Sequence, residues 1–214
     1  MLLEKERELL IEYGKKLVDT GLTKGTGGNL SIRKDDYIAI TPSGIDFYEI
    51  EKEDIVILDI NGNIVDGTRK PSSELDMHLV TYQNRSDMNS IIHAHTTYLT
   101  VLACLRQDLK ATHYMIALAG VDVKCADYAT FGTKELAQNA LKKMEGRNAV
   151  ILANHGILAG STDIHNAFNI VEELEYCAKI YVMAKSIGNP VILDDEEMNK
   201  MLKKFEVYGK ANKK

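Results

Sequence analysis

Segments typical of β-strands alternate with segments typical of helices, and this alternation restricts the fold of the chain more than any other feature. The clearest helix covers residues 163–187, where apolar side chains recur every three or four positions. Two hairpins are predicted earlier: NLSIR and YIAIT flank the turn KDD, and IVILDINGNIV turns at Asn61–Gly62. Strands interspersed with helices in this way predict an α/β fold.

Further elements complete the pattern. Helical spacing also appears over residues 3–20, after Pro-Ser-Ser in KPSSELDMHLVTYQNR, in TTYLTVLACL, over 133–144 with Thr133 as the N-cap, and over 194–208. SIIHAH reads as a strand, and NAVILANHGILAG as two strands around a turn. A chain of 214 residues suits one domain with a sizeable core, so we expect a single domain over residues 1–214.

Composition excludes several classes of function. A net charge of −5 gives no basic surface for nucleic acid, so no nucleic-acid partner is expected. The longest apolar runs are shorter than a membrane span, so no membrane partner is expected either. The three cysteines, Cys104, Cys125 and Cys177, show no pairing pattern, which predicts a reducing, cytoplasmic location.

The stretch IIHAHTTY carries the first candidate metal ligands. Residues i and i+2 of a strand point to the same face, so His93 and His95 would direct their rings to one side. Alone, this pair fits an exposed strand face as well as a metal site. His155 adds a third imidazole, because it follows the apolar run AVILAN and precedes Gly156 at the predicted end of a buried strand.

Glu74, in PSSELDMH, is the fourth candidate. We expect it in the first turn of a helix, where it could ligate a metal, act as a general base or simply interact with the helix N-terminus. His78 lies four residues later and could form an ordinary side-chain pair with Glu74. The histidines at 78, 113 and 165 are left outside the predicted site.

Three short stretches combine glycine with hydroxyl or amide side chains: GTGGN at 25–29, TPSG at 41–44 and PSS at 71–73. Free backbone amides and such side chains can bind an anion, although each stretch alone also fits an ordinary turn. No Lys or Arg lies within them. Lys24, Arg33 and Lys70 flank them and are predicted to add a diffuse positive field.

Seven motifs in order, GTGGNLSIR, TPSGI, KPSSELDMH, IIHAHTTY, HYMIA, YATFGT and ANHGILA, resemble those of the class II aldolase/adducin family. The resemblance extends from the GTGGN loop to the FEVYG segment near the C-terminus. It implies a central, largely antiparallel sheet flanked by helices. It also implies a zinc-dependent aldolase that splits a ketose 1-phosphate into dihydroxyacetone phosphate and a short aldehyde such as lactaldehyde.

The resemblance also assigns roles to residues. It implies one Zn²⁺ per subunit, ligated by His93, His95 and His155, with Glu74 as a resting ligand and as the base during turnover. The positions that match phosphate-binding residues of the family are Gly28, Asn29, Ser43, Gly44, Ser72 and Ser73.

Three aromatic residues match further positions of the family. Tyr114 corresponds to a catalytic tyrosine contributed by a neighbouring subunit, and Phe131 and Tyr208 to residues that shape the pocket. The implied partners are a small phosphorylated sugar and three further copies of the chain, in a homotetramer with active sites at the subunit interfaces.

Rival functions remain open at this point. An L-ribulose-5-phosphate 4-epimerase typically has SSD where this chain has SSE, and a methylthioribulose-phosphate dehydratase is another branch of the family. A scaffold like the adducin head domain would lack the metal site, against which the three histidines and Glu74 argue. An aldolase that forms a Schiff base would need a lysine such as Lys70.

Overall fold

The computed structural model describes residues 1–208, which form one mixed sheet with helices on both faces. The strands are β1 Asn29–Lys34, β2 Tyr37–Ile40, β3 Val56–Asp59, β4 Ile64–Asp66, β5 Ser90–Ala94, β6 Cys125–Ala126, β7 Ala149–Leu152 and β8 Gly156–Ser161. The helices are α1 Glu4–Asp19, α2 Leu75–Asn84, α3 Thr97–Cys104, α4 Lys134–Lys143, α5 Ile164–Ile187 and α6 Asp195–Val207. Two 3-10 helices, Lys52–Asp54 and Tyr114–Leu118, lie in the connections.

The strands follow the order β4-β3-β2-β1-β5-β8-β7-β6. Every neighbouring pair is antiparallel except β6 and β7, which are parallel. The predicted α/β fold with a largely antiparallel sheet is therefore confirmed, as are the two hairpins β1–β2 and β3–β4. The prediction that one domain accounts for the entire chain stays a prediction.

Two apolar cores lie on opposite faces of the sheet. Helices α1, α3 and α5 supply the larger core, while α2 and α4 supply the smaller one. Neighbouring residues of β5 alternate between them: Ile92 and Ala94 belong to the larger core and Ile91 to the smaller. This alternation places His93 on the face covered by α2 and α4, opposite Ala94.

The helix ends follow local sequence signals. The Thr133 hydroxyl accepts a hydrogen bond from the Leu136 amide at 3.3 Å and starts α4, as predicted. The Asp163 carboxylate accepts one from the Asn166 amide at 2.8 Å and starts α5. The predicted apolar stripe of α5 is buried, as its spacing requires: Ile164, Ala167, Phe168, Val171, Leu174 and Ala178.

One charged side chain is buried outside the predicted site. Arg7 of α1 is 1% exposed and donates hydrogen bonds to the carbonyls of Leu2, Lys52 and Ile55 and to the Asp66 carboxylate, at 2.7–2.8 Å. It joins α1 to the loop before β3 and to β4, because it satisfies backbone acceptors that no strand or helix pairs.

Among residues 1–208, no helix is both long enough and apolar enough to cross a membrane.

Candidate active site

The three predicted histidine ligands meet where β5 ends beside β8. His93 is in β5, His95 follows its last residue, and His155 occupies the turn directly before β8. Strands β5 and β8 are antiparallel, with Ala94 opposite Ile157, so the end of one strand lies beside the start of the other. Strand pairing therefore assembles imidazoles from two distant parts of the chain.

The histidine rings face one another at short range. The ring centroids of His93, His95 and His155 lie 4.7–5.0 Å apart, and the Nε2 atoms of His93 and His95 are 3.0 Å apart. The Nδ1–H of fully buried His93 donates to the Ile157 carbonyl at 2.8 Å. This bond fixes the ring and directs the free Nε2 lone pair towards the other two histidines.

Glu74 completes the cluster from the other side. It is the N-cap residue of α2 and not, as predicted, part of the first turn, and its side chain makes no capping bond. Its Oε2 lies 3.1 Å from His93 Nε2 and its Oε1 3.3 Å from His155 Nε2. The backbone turn that starts α2 therefore directs the carboxylate to the histidines instead of to the helix amides.

The four side chains fit a divalent metal ion. Four possible ligand atoms, one each from Glu74, His93, His95 and His155, lie within 4.8 Å of one another. Atoms bonded at about 2.0–2.1 Å to a tetrahedral ion are about 3.3 Å apart, close to the observed separations. Glu74 Oε1 is also buried without a hydrogen-bond partner, as expected of an atom that a bound cation would satisfy.

The protonation states suit ligation as well. Burial, followed by the neighbouring His93, lowers the pKa of His95 and of His155 to about 4. Burial raises the pKa of Glu74, but His93, His155 and the Asn29 amide outweigh it and lower the pKa to about 2. Near neutral pH His95 and His155 are therefore neutral and Glu74 is ionised, the forms that bind metals.

The glycine- and hydroxyl-rich stretches converge on the same place. Pro42 and Pro71 form an isolated β-bridge, and the Ser43 amide donates to the Lys70 carbonyl at 3.0 Å, so TPSG and PSS lie side by side. The GTGGN stretch adjoins the metal cluster because Gly28, with φ of 82°, passes close to His93. A Cβ at Gly28 would lie 2.6 Å from the His93 carbonyl oxygen, so only glycine fits here.

One open cavity of about 390 Å³ joins these features. It is lined by all six residues that match phosphate-binding positions, namely Gly28, Asn29, Ser43, Gly44, Ser72 and Ser73. Glu74, His95, His155 and Phe131 line it too. The structure thus places the predicted anion loops and the candidate metal cluster around a single space.

The three flanking cations do not line the cavity, and the diffuse positive field predicted from them stays a prediction. The Arg33 guanidinium donates to the carbonyls of Tyr82 and Met88, at 2.8 and 2.5 Å, away from the cavity. Lys24 and Lys70 are exposed, and no described Lys or Arg lines the cavity. Any anion bound there would depend on neutral donors from backbone and side chains.

Two predicted aromatic residues lie outside the cavity of this chain. Tyr114, 49% exposed in the second 3-10 helix, stacks against His113 and Phe205. Tyr208, the last described residue, packs edge-on against Phe205. A single chain therefore brings neither tyrosine to the metal cluster.

Sequence reasoning missed other contributors. Thr26, Tyr128 and Asn154 line the cavity, and all three lie within three positions of motif residues that were assigned roles. Asn154 has a φ of 54°, which an asparagine tolerates better than most residues, and this explains its place in the turn before His155. His78, predicted to lie outside the site, is fully buried directly behind it and hydrogen bonds to Asn29.

Comparison with known proteins agrees with the geometry. The family described as "Class II Aldolase and Adducin N-terminal domain" matches residues 8–182. The chain belongs to this family. It is a class II aldolase, an enzyme class that depends on a metal ion, and the Glu/His cluster is where this aldolase could bind one.

Relatives of this aldolase cover nearly its entire length. A 5-deoxy-D-ribulose 1-phosphate aldolase of Bacillus thuringiensis serovar kurstaki is 53% identical over 98% of this chain and 99% of its own. An L-fuculose phosphate aldolase of Escherichia coli (strain K12) is 38% identical over 92% of this chain and 96% of its own. A solved structure described as L-fuculose 1-phosphate aldolase is 65% identical, with a TM-score of 0.95 over 96% of this chain and 98% of that one.

Proposed function

We propose that this class II aldolase reversibly cleaves a ketose 1-phosphate into dihydroxyacetone phosphate and a short aldehyde, with Zn²⁺ held by His93, His95 and His155. The observation that carries the proposal is the single cavity shared by the histidine cluster and the three anion loops. A phosphate anchored at one end of this cavity would place the carbon chain of the sugar beside the cluster.

Held by His93, His95 and His155, a divalent ion would supply Lewis-acid stabilisation of negative charge on the three-carbon fragment. The protein's own part is to hold neutral imidazoles in place. His93 is fixed by its bond to the Ile157 carbonyl, and burial keeps His95 and His155 unprotonated near neutral pH. These groups leave the positive charge of the ion undiminished.

Glu74 is proposed as the acid–base group. In the condensation direction its carboxylate removes the proton from C3 of dihydroxyacetone phosphate, and in cleavage it returns that proton. The carboxylate is 6% exposed, and its Oε2 accepts a hydrogen bond from the Asn29 amide at 3.1 Å. Oε1 makes no hydrogen bond and is therefore free for the second partner that this role requires.

The phosphate is proposed to bind the loops that contain Asn29, Ser43, Gly44, Ser72 and Ser73, with Gly28 holding the first loop against β5. Their amides, hydroxyls and side-chain amide supply hydrogen bonds without a fixed cation. Binding energy from this remote group would orient the reacting bond near Glu74.

L-Fuculose 1-phosphate is the proposed substrate, by likeness to the solved structure and to the Escherichia coli enzyme, and its aldehyde product is L-lactaldehyde. The 53% identical relative favours 5-deoxy-D-ribulose 1-phosphate as a second candidate, which would release acetaldehyde. Both sugars end in a methyl group. Exposed Phe131 and Tyr128 at the cavity offer apolar surface for it.

A homotetramer with active sites at its interfaces is also proposed. Tyr114 would then reach a neighbouring subunit's cavity and stabilise or protonate the aldehyde oxygen, while Tyr208 and Phe131 shape the pocket. Support comes from the exposure of all three rings in the single chain. Mixing Tyr114→Phe subunits with Glu74→Gln subunits should restore activity, because some sites then receive both native residues; no gain on mixing would contradict a shared site.

The main test measures dihydroxyacetone phosphate with a coupled enzyme across a panel of ketose phosphates, with and without chelator. We expect release from methyl-terminated ketose 1-phosphates, abolished by chelator and restored by Zn²⁺. The identity of the aldehyde separates the two sugar candidates. Formation of an epimer without free dihydroxyacetone phosphate would contradict the aldolase assignment, and covalent trapping by borohydride would indicate a Schiff base instead.

A further inference from the structure

A chain of buried hydrogen bonds runs from α2 to the back of the active site. Tyr82 Oη lies 2.7 Å from Ser31 Oγ, which lies 2.6 Å from His78 Nδ1. His78 Nε2 lies 2.6 Å from Asn29 Oδ1, and Asn29 Nδ2 donates to Glu74 Oε2 at 3.1 Å. All five side chains are buried, and only the Asn29–Glu74 end of this hydrogen-bond chain borders the active-site cavity.

The direction of these bonds is determined at the Glu74 end. An ionised carboxylate only accepts, so Asn29 must turn its NH₂ group to Glu74 and its carbonyl oxygen to His78. His78 then donates through Nε2–H and accepts through Nδ1. Ser31 donates to that Nδ1, and the Tyr82 hydroxyl donates to Ser31, whose Oγ and carbonyl oxygen lie 2.7 and 3.0 Å from it. Every link then has one donor and one acceptor, and no proton is left over.

We propose that His78 is a positioning residue for catalysis, which holds the Asn29 side chain in the orientation that serves both Glu74 and the phosphate loop. This inference rests on the proposed function. His78 does not line the cavity, and its ring is joined to the site by its hydrogen bond to Asn29.

The physical basis is the two-fold ambiguity of an amide. The two ends of the Asn29 amide are similar in size, so shape alone does not select between the orientation shown and its flipped form. A flipped Asn29 would direct its carbonyl oxygen at the Glu74 carboxylate, and two acceptors would face each other. Glu74 disfavours this alternative from one side of Asn29, and the His78 Nε2–H disfavours it from the other side, because that N–H requires an acceptor.

Burial supports this role for His78. Burial lowers the pKa of His78 to about 3, so the ring stays neutral over the range in which an aldolase works. A neutral ring has a single N–H, and the Asn29 carbonyl oxygen that faces Nε2 places it there. Nδ1 is then free to accept from the Ser31 hydroxyl, which a protonated ring would not allow.

The alternative is that His78 only fills and satisfies the core behind the sheet. This alternative predicts that activity and stability fall together in every variant of this region. A positioning role predicts instead that activity depends on a donor aimed at Asn29, whatever happens to the melting temperature.

Three variants of α2 separate these roles. His78→Met removes the donor, and His78→Gln places an amide N–H near the position of Nε2. Met77→Ala is the matched control: Met77 is also buried in α2, where it belongs to the smaller core, and its thioether side chain is not a link of the hydrogen-bond chain.

We expect His78→Met to lower kcat/KM by about ten- to a hundredfold, the usual effect of losing a hydrogen-bond arrangement at a charged group. His78→Gln should recover most of this loss. Met77→Ala should lower the melting temperature at least as much while kcat/KM stays within about twofold. Loss of activity in proportion to melting temperature across all three variants would overturn the proposal.

A double-mutant cycle tests whether His78 acts through Asn29. If it does, the variant Asn29→Ala/His78→Met has the kcat/KM of Asn29→Ala alone, within about twofold. Multiplication of the two single effects would show an independent, structural contribution and would overturn the proposal.

A readout in metal-free protein separates this proposal from the proposed function. The side-chain amide signals of Asn29 in a ¹⁵N–¹H spectrum are identified by their absence in Asn29→Ala. We expect them to move in His78→Met and to remain in place in Met77→Ala. Unchanged signals in His78→Met would overturn the positioning role, whereas unmodified protein that cleaves no ketose phosphate would overturn the function and leave this result standing.

Discussion

Two buried ionic groups in this molecule, Arg7 and Glu74, have opposite kinds of surroundings. The Arg7 guanidinium donates to three backbone carbonyls and one carboxylate. Glu74 accepts from Asn29 at Oε2, while its Oε1 is buried with no hydrogen bond. A buried charge that serves the fold has its partners within the fold. A buried charge that takes part in catalysis has an atom without a partner in the protein, which is left for a metal ion or a substrate.

The neighbours of the two groups differ in kind as well. Arg7 is surrounded mainly by carbonyl oxygens, which cannot change their protonation. Glu74 faces histidines, whose charge and ligation can change. The contrast predicts that damage at Arg7 appears in stability and damage around Glu74 appears in activity.

The largest effect on activity is expected from His93→Ala/His95→Ala. Loss of two of three imidazoles should abolish metal binding and lower kcat/KM by at least about 10⁴-fold, since several kcal/mol of charge stabilisation are lost and each 1.36 kcal/mol is tenfold. Metal analysis and circular dichroism check this, with the fold retained. A variant that still bound one Zn²⁺ per chain would contradict the assigned ligands.

A smaller loss of activity is expected from Glu74→Gln. The variant keeps the size of the side chain but has no carboxylate to carry the proton, so kcat should fall about 10²- to 10³-fold. Exchange of the C3 proton of dihydroxyacetone phosphate with deuterated water, followed by NMR, should fall in parallel. Proton exchange at the unmodified rate would rule out Glu74 as the base.

Arg7→Met should lower the stability of the protein and leave its activity nearly unchanged. It leaves three carbonyls without their donor, so the free energy of unfolding should fall by about 3 kcal/mol, and kcat at a permissive temperature should stay within about twofold. Arg69→Met is the matched control, because Arg69 is a largely exposed partner of Asp54 and its loss should cost at most about 1 kcal/mol. Equal losses of unfolding free energy in Arg7→Met and Arg69→Met would contradict the structural role of Arg7.

The last expected effect concerns acid stability. Because the pKa of His78 is lowered to about 3, the unfolded chain binds a proton there below about pH 6.5 while the folded chain does not. The free energy of unfolding should therefore fall as the pH drops from 6.5 towards 3, by up to about 1.4 kcal/mol per pH unit from this residue. Urea titrations of the metal-free proteins should show that the free energy of unfolding falls less steeply with pH in His78→Gln than in the unmodified protein. Equal slopes in the two proteins would contradict this prediction.

Local patterns in the sequence were sufficient to predict many helices, caps and turns of this fold. The stripe of α5, the Thr133 cap and the Asn61–Gly62 turn are each determined by neighbouring residues. The largely antiparallel strand directions had to come from resemblance, and the strand order was not predicted, because the pairing of β1 with β5 depends on contacts between distant segments. The two-residue strand β6 is too short to carry any periodic signal.

The residues of the candidate site also divide into those that local sequence predicts and those that depend on distant contacts. His93 and His155 stood out because histidines interrupt apolar strands there. His78 did not, because its importance lies in a bond to Asn29, which is 49 positions away in sequence. The direction of the Arg33 side chain was likewise decided by distant carbonyls, such as that of Tyr82, and not by the nearby loops.

The hydrogen bond from His93 to the Ile157 carbonyl has a consequence for synthesis on the ribosome. Its two residues are 64 positions apart, so the histidine emerges roughly 3 to 13 s before the strand that orients it, at about 5–20 residues per second. During that interval β5 can pair with β1, which is already made, but its other edge stays open. A nascent chain that ends before β8 therefore has an unpaired central strand and histidines with no fixed direction, and metal loading belongs after translation of the last sheet strand.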